Sequence, residues 1–140
     1  MSTVLFACVH NAGRSQMAAA FFNQHADPTR ARAFSAGTQP GTTVHPEVLV
    51  IMRERGIDLA GTAPRLLTAD LAAEVHWLIT MGCGDACPVV PGVRREDWPF
   101  EDPKGRPLDE VRAIRASIEA RVVAFVRGNG WGKKATPAGA

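Results

Sequence analysis

The segment Thr3–Gln16, TVLFACVHNAGRSQ, constrains the fold more than any other part of this sequence. An apolar run ends in Cys8, five residues follow, and Arg14 and Ser15 then open a stretch whose apolar residues recur at helical spacing. A strand that leads through a short loop into a helix directs backbone N–H groups and the helix N-terminus toward one point. The segment therefore predicts a loop that binds a tetrahedral oxyanion.

The residue types in this loop predict a nucleophilic cysteine. The loop amides, the helix dipole and the Arg14 guanidinium create a positive field around Cys8, which favours its thiolate form. Arg14 can hold two anion oxygens with its planar fork, and Ser15 can donate a hydrogen bond to the sulfur of Cys8. The predicted substrate-binding residues are Val9, His10, Asn11, Ala12, Gly13 and Arg14. The alternative is a buried structural cysteine followed by an ordinary solvated arginine.

Two loop residues carry a backbone expectation. Gly13 permits a positive φ angle, and Asn11 tolerates the left-handed conformation while its side chain ties the loop together. Both properties suit a tight loop around an anion.

Length and composition indicate one soluble globular domain. The chain has 140 residues, of which 46% are hydrophobic and 21% charged, and its net charge of +2 suits a small anionic substrate better than nucleic acid or a membrane. It has no membrane-length apolar run and no signal-like N-terminus, so we expect a cytoplasmic monomer. Three cysteines in such a chain do not form a disulfide framework, and neither a metal nor a cofactor is expected.

Apolar patterning predicts an α/β fold with a parallel sheet and helices on both faces. Strands are predicted at Thr3–Ala7, Arg32–Ala36 and His76–Met81. Helices are predicted from Arg14 to just before Asp27-Pro28, from Pro46 to Gly56, after a Thr68 cap to Ala73, and from Leu108. The last helix carries an apolar stripe of Leu108, Val111, Ile114, Ile118, Val122 and Phe125. The predicted domain spans residues 1–128, and residues 129–140 form a flexible tail.

Cys83 and Cys87 follow the third strand in the sequence MGCGDACP. The end of this strand shares a sheet edge with Cys8, so Cys83 is expected within reach of it. The pair could form a disulfide, could be two incidental thiols in a loop near solvent, or could bind zinc together with His10 or His45. Redox chemistry is favoured over zinc because no second cysteine pair completes a set of four ligands.

The sequence EDWPFEDP supplies a candidate acid. We call the predicted oxyanion loop, residues 8–14, the cradle. Pro103 restricts the backbone of Asp102 to an extended conformation, which fixes the approach of Asp102 to this cradle. A carboxylic acid beside a bound oxyanion can protonate a leaving oxygen, whereas the alternative is an ordinary Asp-Pro turn.

Together these motifs resemble the low-molecular-weight protein tyrosine phosphatase family and its arsenate reductase branch. The resemblance rests on CVHNAGRSQMA, on SAGT at Ser35–Thr38, on LITM before Cys83 and on the Asp102-Pro103 pair. It implies a single domain with a four-stranded parallel sheet in the order 2-1-3-4. The two cysteines after the third strand favour the reductase branch, because phosphatases of the family do not need them.

The resemblance also implies a mechanism of arsenic detoxification. Cys8 would attack arsenate, Arg14 and the loop amides would hold its oxygens, and Asp102 would protonate the departing hydroxide. Cys83 would then attack Cys8 and release arsenite, and Cys87 would attack Cys83 to move the disulfide outward. The implied reductant is thioredoxin. The short spacing between Cys83 and Cys87 leaves mycothiol, or glutathione with a glutaredoxin-like protein, as an alternative.

Some members of the family bind potassium beside the cradle through acidic residues. Ala19 and Arg65 align with those acids here, so no ion is expected, and the charge of Arg65 could fill the same role.

Two other functions are compatible with the sequence. A tyrosine phosphatase would use Cys8, Arg14 and Asp102 but would leave Cys83 and Cys87 idle. A metalloid-binding or sensing protein would use the three thiols but would not need Arg14, Ser15 or Asp102.

Overall fold

The computed structural model describes residues 1–82, 87 and 89–133. Its centre is the strand β1, Ser2–Cys8, which pairs in parallel with β2, Ala31–Gly37, on one side and with β3, Trp77–Thr80, on the other. The strand β4, Arg94–Asp97, pairs in parallel with β3 and completes a sheet in the order β2-β1-β3-β4. The predicted four-stranded parallel sheet and its order are therefore confirmed.

Four helices lie in the described part of the chain, and their starts agree with the sequence signals. They are α1 at Arg14–His25, α2 at Pro46–Arg53, α3 at Ala69–Ala73 and α4 at Leu108–Gly128. The side chain of Thr68 accepts a hydrogen bond from the N–H of Leu71 at 3.1 Å, which confirms the predicted cap of α3. Gly56 has a φ angle of 74° just after α2, as a helix-ending glycine should.

The sheet separates two apolar clusters, and β1 contributes to both. Val4, Phe6 and Cys8 face the larger cluster, which contains the buried residues of α1, α2 and α4. Leu5 and Ala7 face the smaller cluster, which α3 helps to cover. Because both faces are covered, a central strand must be apolar at every position, which explains the continuous apolar run before Cys8.

The ends of the last helix differ from the sequence prediction. Leu108 was assigned to the buried stripe of α4, but it is 38% exposed because it begins the first turn of the helix. Beyond Gly128, where the tail was predicted to begin, Trp131 packs against Phe22 and Phe125. The packed structure thus extends past residue 128, whereas residues 134–140 lie outside the described residues. No helix in the described ranges is long and apolar enough to span a membrane.

Candidate active site

The loop between β1 and α1 is held from outside through its carbonyl groups. Every carbonyl from Cys8 to Gly13 accepts a hydrogen bond. Five of the donors are backbone N–H groups: that of Thr38 donates to the carbonyl of Cys8 (3.1 Å), Gln39 donates to Val9 (2.8 Å), Gly41 donates to His10 (3.0 Å), His45 donates to Ala12 (2.9 Å) and Met17 donates to Gly13 (3.0 Å). The sixth donor is Nε2 of Gln16, which bonds the carbonyl of Asn11 (3.1 Å). In contrast, no hydrogen bond within residues 1–82, 87 and 89–133 has a backbone N–H of residues 9–15 as its donor.

This asymmetry is what an anion site requires. A run of backbone N–H groups without protein acceptors, ending at a helix N-terminus, presents a concentrated positive potential. Because the carbonyls are bound to the surrounding segments, the peptide groups cannot turn over and present oxygen to the anion instead. The six hydrogen bonds therefore hold the peptide groups of the loop in one orientation, with their carbonyls bound and their N–H groups without an acceptor among the described residues.

Cys8 is the floor of this site. It is a free thiol, 2% exposed, and its sulfur lies 2.9 Å from Oγ of Ser15. Nδ2 of Asn11 donates to the same Oγ at 2.8 Å, which leaves the hydroxyl proton of Ser15 free to point at the sulfur. Ser15 is thus placed to donate to Cys8, as the sequence predicted.

The backbone of the loop confirms one expectation and corrects another. Asn11 is left-handed, with a φ angle of 51°, as predicted. Gly13 was predicted to need a positive φ, which is wrong, since its φ angle is −146°. Its small size is required instead for packing, because a Cβ atom there would lie 2.9 Å from Cγ of Pro103 and 3.4 Å from Cδ2 of His45.

Arg14 links the cradle to residues 98–107, which we call the acid loop. Its side chain is 11% exposed, and Nη1 donates a hydrogen bond to the carbonyl of Phe100 at 3.2 Å. Nη2 lies 4.0 Å from Oδ2 of Asp102, whose carboxylate is 45% exposed. Gly82, with a φ angle of 103°, leaves room for the guanidinium, which an added Cβ atom would hit. The candidate acid is thus beside the cradle, as predicted.

His45 is an ionisable group at the rim that the sequence analysis considered only as a zinc ligand. Burial lowers the pKa of this imidazole from 6.5, although the nearby carboxylates of Glu47 and Asp102 oppose the shift. His45 is therefore mainly neutral at neutral pH.

Of the two remaining cysteines, the structure describes Cys87 but not Cys83. Cys87 is 3% exposed, is disulfide-bonded and belongs to the smaller apolar cluster with Leu5, Ala36 and Leu78. The alternative of an incidental thiol near solvent does not fit Cys87, because apolar side chains of the sheet and α3 surround it. Cys83 lies outside the described residues, so its predicted proximity to Cys8 stays a prediction.

Arg65 contacts the cradle, as its alignment with the family's potassium-binding acids implies. Its backbone N–H donates to Oδ1 of Asn11 at 3.0 Å, and its Nε donates to the carbonyl of Ser35 at 3.1 Å. No pattern in the sequence indicates the contact of Arg65 with Asn11 or that of Gln16 with Asn11, because both depend on tertiary packing. Among residues 1–82, 87 and 89–133 there is no cluster of three or more His, Cys, Asp or Glu side chains able to hold a metal ion.

Comparison with known proteins agrees with this geometry. The model of the family described as low molecular weight phosphotyrosine protein phosphatase matches residues 3–134. The arsenate reductase of Staphylococcus aureus strain Newman is 33% identical over 128 residues, which cover 88% of this chain and 95% of that protein.

Two solved structures are similar in both sequence and fold. The Corynebacterium glutamicum thioredoxin-dependent arsenate reductase is 38% identical with a TM-score of 0.79, and the match covers 91% of this chain but only 61% of that one. The arsenate reductase from Archaeoglobus fulgidus is 33% identical with a TM-score of 0.75, covering 89% and 98% of the two chains. From its cradle, its sheet order and these matches, the chain belongs to the low molecular weight phosphotyrosine protein phosphatase family.

Proposed function

We propose that this protein is an arsenate reductase. The observation that carries the proposal is the buried free thiol of Cys8, beneath a loop whose carbonyls are all bound and whose amides have no acceptor among the described residues. Arsenate is a tetrahedral oxyanion of the size and charge that such a loop accommodates. Relatives at 33% and 38% identity that are named arsenate reductases support the same substrate.

The first step is nucleophilic attack. The sulfur of Cys8 forms a bond to arsenic while Arg14 and the loop amides bind the oxygens. Asp102, which lies beside Arg14, donates a proton so that one oxygen leaves as water. Ser15 stabilises the sulfur through the hydrogen bond to its side chain.

The second step transfers electrons within the chain. Cys83 attacks the sulfur of Cys8, a disulfide forms, and the electron pair of the broken sulfur–arsenic bond reduces arsenic from the +5 to the +3 state, which leaves as arsenite. Cys87 then attacks Cys83 and regenerates the thiol of Cys8. Since Cys87 is buried, a reductant can attack its sulfur only after Cys87 becomes exposed. Thioredoxin is the proposed reductant, with mycothiol or glutathione as the alternative, in the reducing environment of the cytoplasm.

One experiment separates this function from its alternatives. Reduced protein is supplied with thioredoxin, thioredoxin reductase and arsenate, and arsenite is measured, with p-nitrophenyl phosphate tested in parallel. We expect arsenite from the wild type, none from Cys8→Ser, and loss of turnover in Cys83→Ser with any phosphatase activity kept.

Other results would indicate a different mechanism, a different reductant or a different function. Undiminished turnover by Cys83→Ser with thioredoxin as sole reductant would contradict the relay, and turnover only with a low-molecular-weight thiol would replace thioredoxin. Hydrolysis of p-nitrophenyl phosphate without arsenate reduction would indicate a phosphatase, which needs only Cys8, Arg14 and Asp102. Binding of arsenite without turnover would indicate a metalloid sensor.

A further inference from the structure

The acid loop has no regular structure of its own. Residues 98–107 contain neither helix nor strand, although Trp98 anchors the beginning of the loop with 2% exposure. The carboxylate of Asp102 accepts the N–H of Lys104 at 3.0 Å, and its carbonyl accepts Nε of Arg106 at 2.8 Å. These bonds hold the turn around Asp102 together, but they do not fix where that turn lies relative to the cradle.

Arg14 connects the loop to the cradle through Phe100 and Asp102, and a carboxylate on another element adds a second connection. Oε1 of Glu47, in the first turn of α2, accepts a hydrogen bond from the N–H of Gly105 at 2.9 Å. Gly105 follows Asp102 by three residues and is left-handed, with a φ angle of 72°. A hydrogen bond to a charged acceptor is roughly twice as strong as a neutral one, so this contact restrains the tip of the acid loop.

The same turn of α2 also contacts the cradle. The N–H of His45 donates to the carbonyl of Ala12 at 2.9 Å, and the rings of His45 and Pro103 both lie against Gly13. The cradle, the start of α2 and the acid loop therefore meet at one point. A helix start that is bonded to both loops can fix the distance between them.

We propose that Glu47 is a positioning residue for Asp102: by holding Gly105, it sets the distance between the acid and the oxyanion in the cradle. The inference rests on the proposed function insofar as Asp102 acts there as a proton donor. Proton transfer requires hydrogen-bond distance, and a displacement of about 1 Å can lower a rate by roughly 10²-fold. Glu47 itself need not touch the substrate.

The test is a double-mutant cycle with the full-length protein. We expect Glu47→Ala to lower kcat by about 3- to 10-fold with KM nearly unchanged, because positioning an acid affects the transition state rather than binding. Glu47→Gln should retain most activity, since its amide oxygen can still accept the N–H of Gly105. Asp70→Ala, which removes a first-turn carboxylate from α3, is the matched control and should have no effect.

The decisive comparison is made in the Asp102→Asn background. If Glu47 acts through Asp102, Glu47→Ala should cause no further loss there, whereas an equal loss in both backgrounds would overturn the proposal. The cycle uses whichever of arsenate and p-nitrophenyl phosphate the wild type turns over.

Hydrogen exchange at the amide of Gly105, followed by NMR, provides a readout that does not depend on catalysis. It should be faster in Glu47→Ala and near the wild-type rate in Glu47→Gln. Unchanged exchange in Glu47→Ala would overturn the proposal even in a protein without arsenate reductase activity. Absence of arsenite from the wild type, with the exchange result as expected, would contradict the proposed function alone.

Discussion

At the scale of single residues, the site combines one contiguous segment of the chain with contacts from distant positions. Cys8, Asn11, Arg14 and Ser15 lie within eight positions, so a strand, a loop and a helix turn almost determine their relative placement. Glu47 reaches the site through a contact between residues 58 positions apart, and no local pattern encodes such a contact. Local chemistry is therefore predictable here, and the supporting contacts are not.

Gly13 illustrates the same limit, since the residue type is right but the expected reason is wrong. We predict that Gly13→Ala lowers kcat by at least about 10-fold, because its methyl group would push away Pro103 and with it the adjacent Asp102. The methyl group should also lower the free energy of unfolding by about 1–3 kcal/mol through overpacking.

Steady-state kinetics and urea denaturation would test both effects. Gly61→Ala is the matched control, because an added Cβ atom at Gly61 meets nothing within 4 Å. If Gly13→Ala kept the wild-type kcat, the prediction would be contradicted, because the acid loop would then accommodate the methyl group without displacing Asp102.

At the scale of elements, β4 is the part that the sequence pattern does not reveal. Its four residues, Arg94–Asp97, are all charged and at least partly exposed, so they carry neither apolar alternation nor an apolar run. An edge strand needs only the backbone hydrogen bonds of its neighbour, here β3, and charged side chains protect its outer edge from aggregation. The resemblance to a known family supplied the fourth strand, whereas hydrophobic patterning could not.

Ion pairs between α2 and α4 provide a pH-dependent contact between elements. Glu54 accepts hydrogen bonds from Arg112 and Arg115, with closest distances of 2.8 Å each, and these bonds lower its pKa from 4.5 to about 2. A lowered folded-state pKa stabilises the fold above about pH 4.5, and this stabilisation is lost as the pH falls toward 2.

We therefore predict that Glu54→Gln unfolds at lower urea concentration than the wild type near neutral pH. Because the carboxylate is exposed, solvent screens the interaction and the difference should be small. It should shrink steadily when the same titration is repeated between about pH 5 and pH 2. Glu74→Gln, an exposed residue without an ion pair in the described part of the chain, should not change the profile. If the difference in stability between Glu54→Gln and the wild type did not change with pH, the attribution of the pH-dependent contact to Glu54 would be contradicted.

At the scale of the whole molecule, the larger cluster is closed by a residue that follows the last helix. Trp131 packs against Phe22, Trp77 and Phe125, and its carbonyl accepts the N–H of Asp27 at 2.7 Å. Trp131 has glycine-rich neighbours and follows the last helix, and for these reasons the sequence predicts a mobile tail there. A single large aromatic side chain can nevertheless bury enough apolar surface to order a short segment, and helical periodicity does not detect it.

We predict that Trp131→Ala lowers the free energy of unfolding by about 2–4 kcal/mol, since it removes aromatic contacts with α1, β3 and α4. Leu108→Ala is the matched control: the sequence pattern places Leu108 in the core, but it is 38% exposed, so its loss should cost less than about 1 kcal/mol. Chemical denaturation followed by circular dichroism would measure both. Because Trp131 contacts no residue of the cradle, kcat under native conditions should stay at the wild-type value. Equal destabilisation by the two variants would contradict the view that the folded domain extends to Trp131.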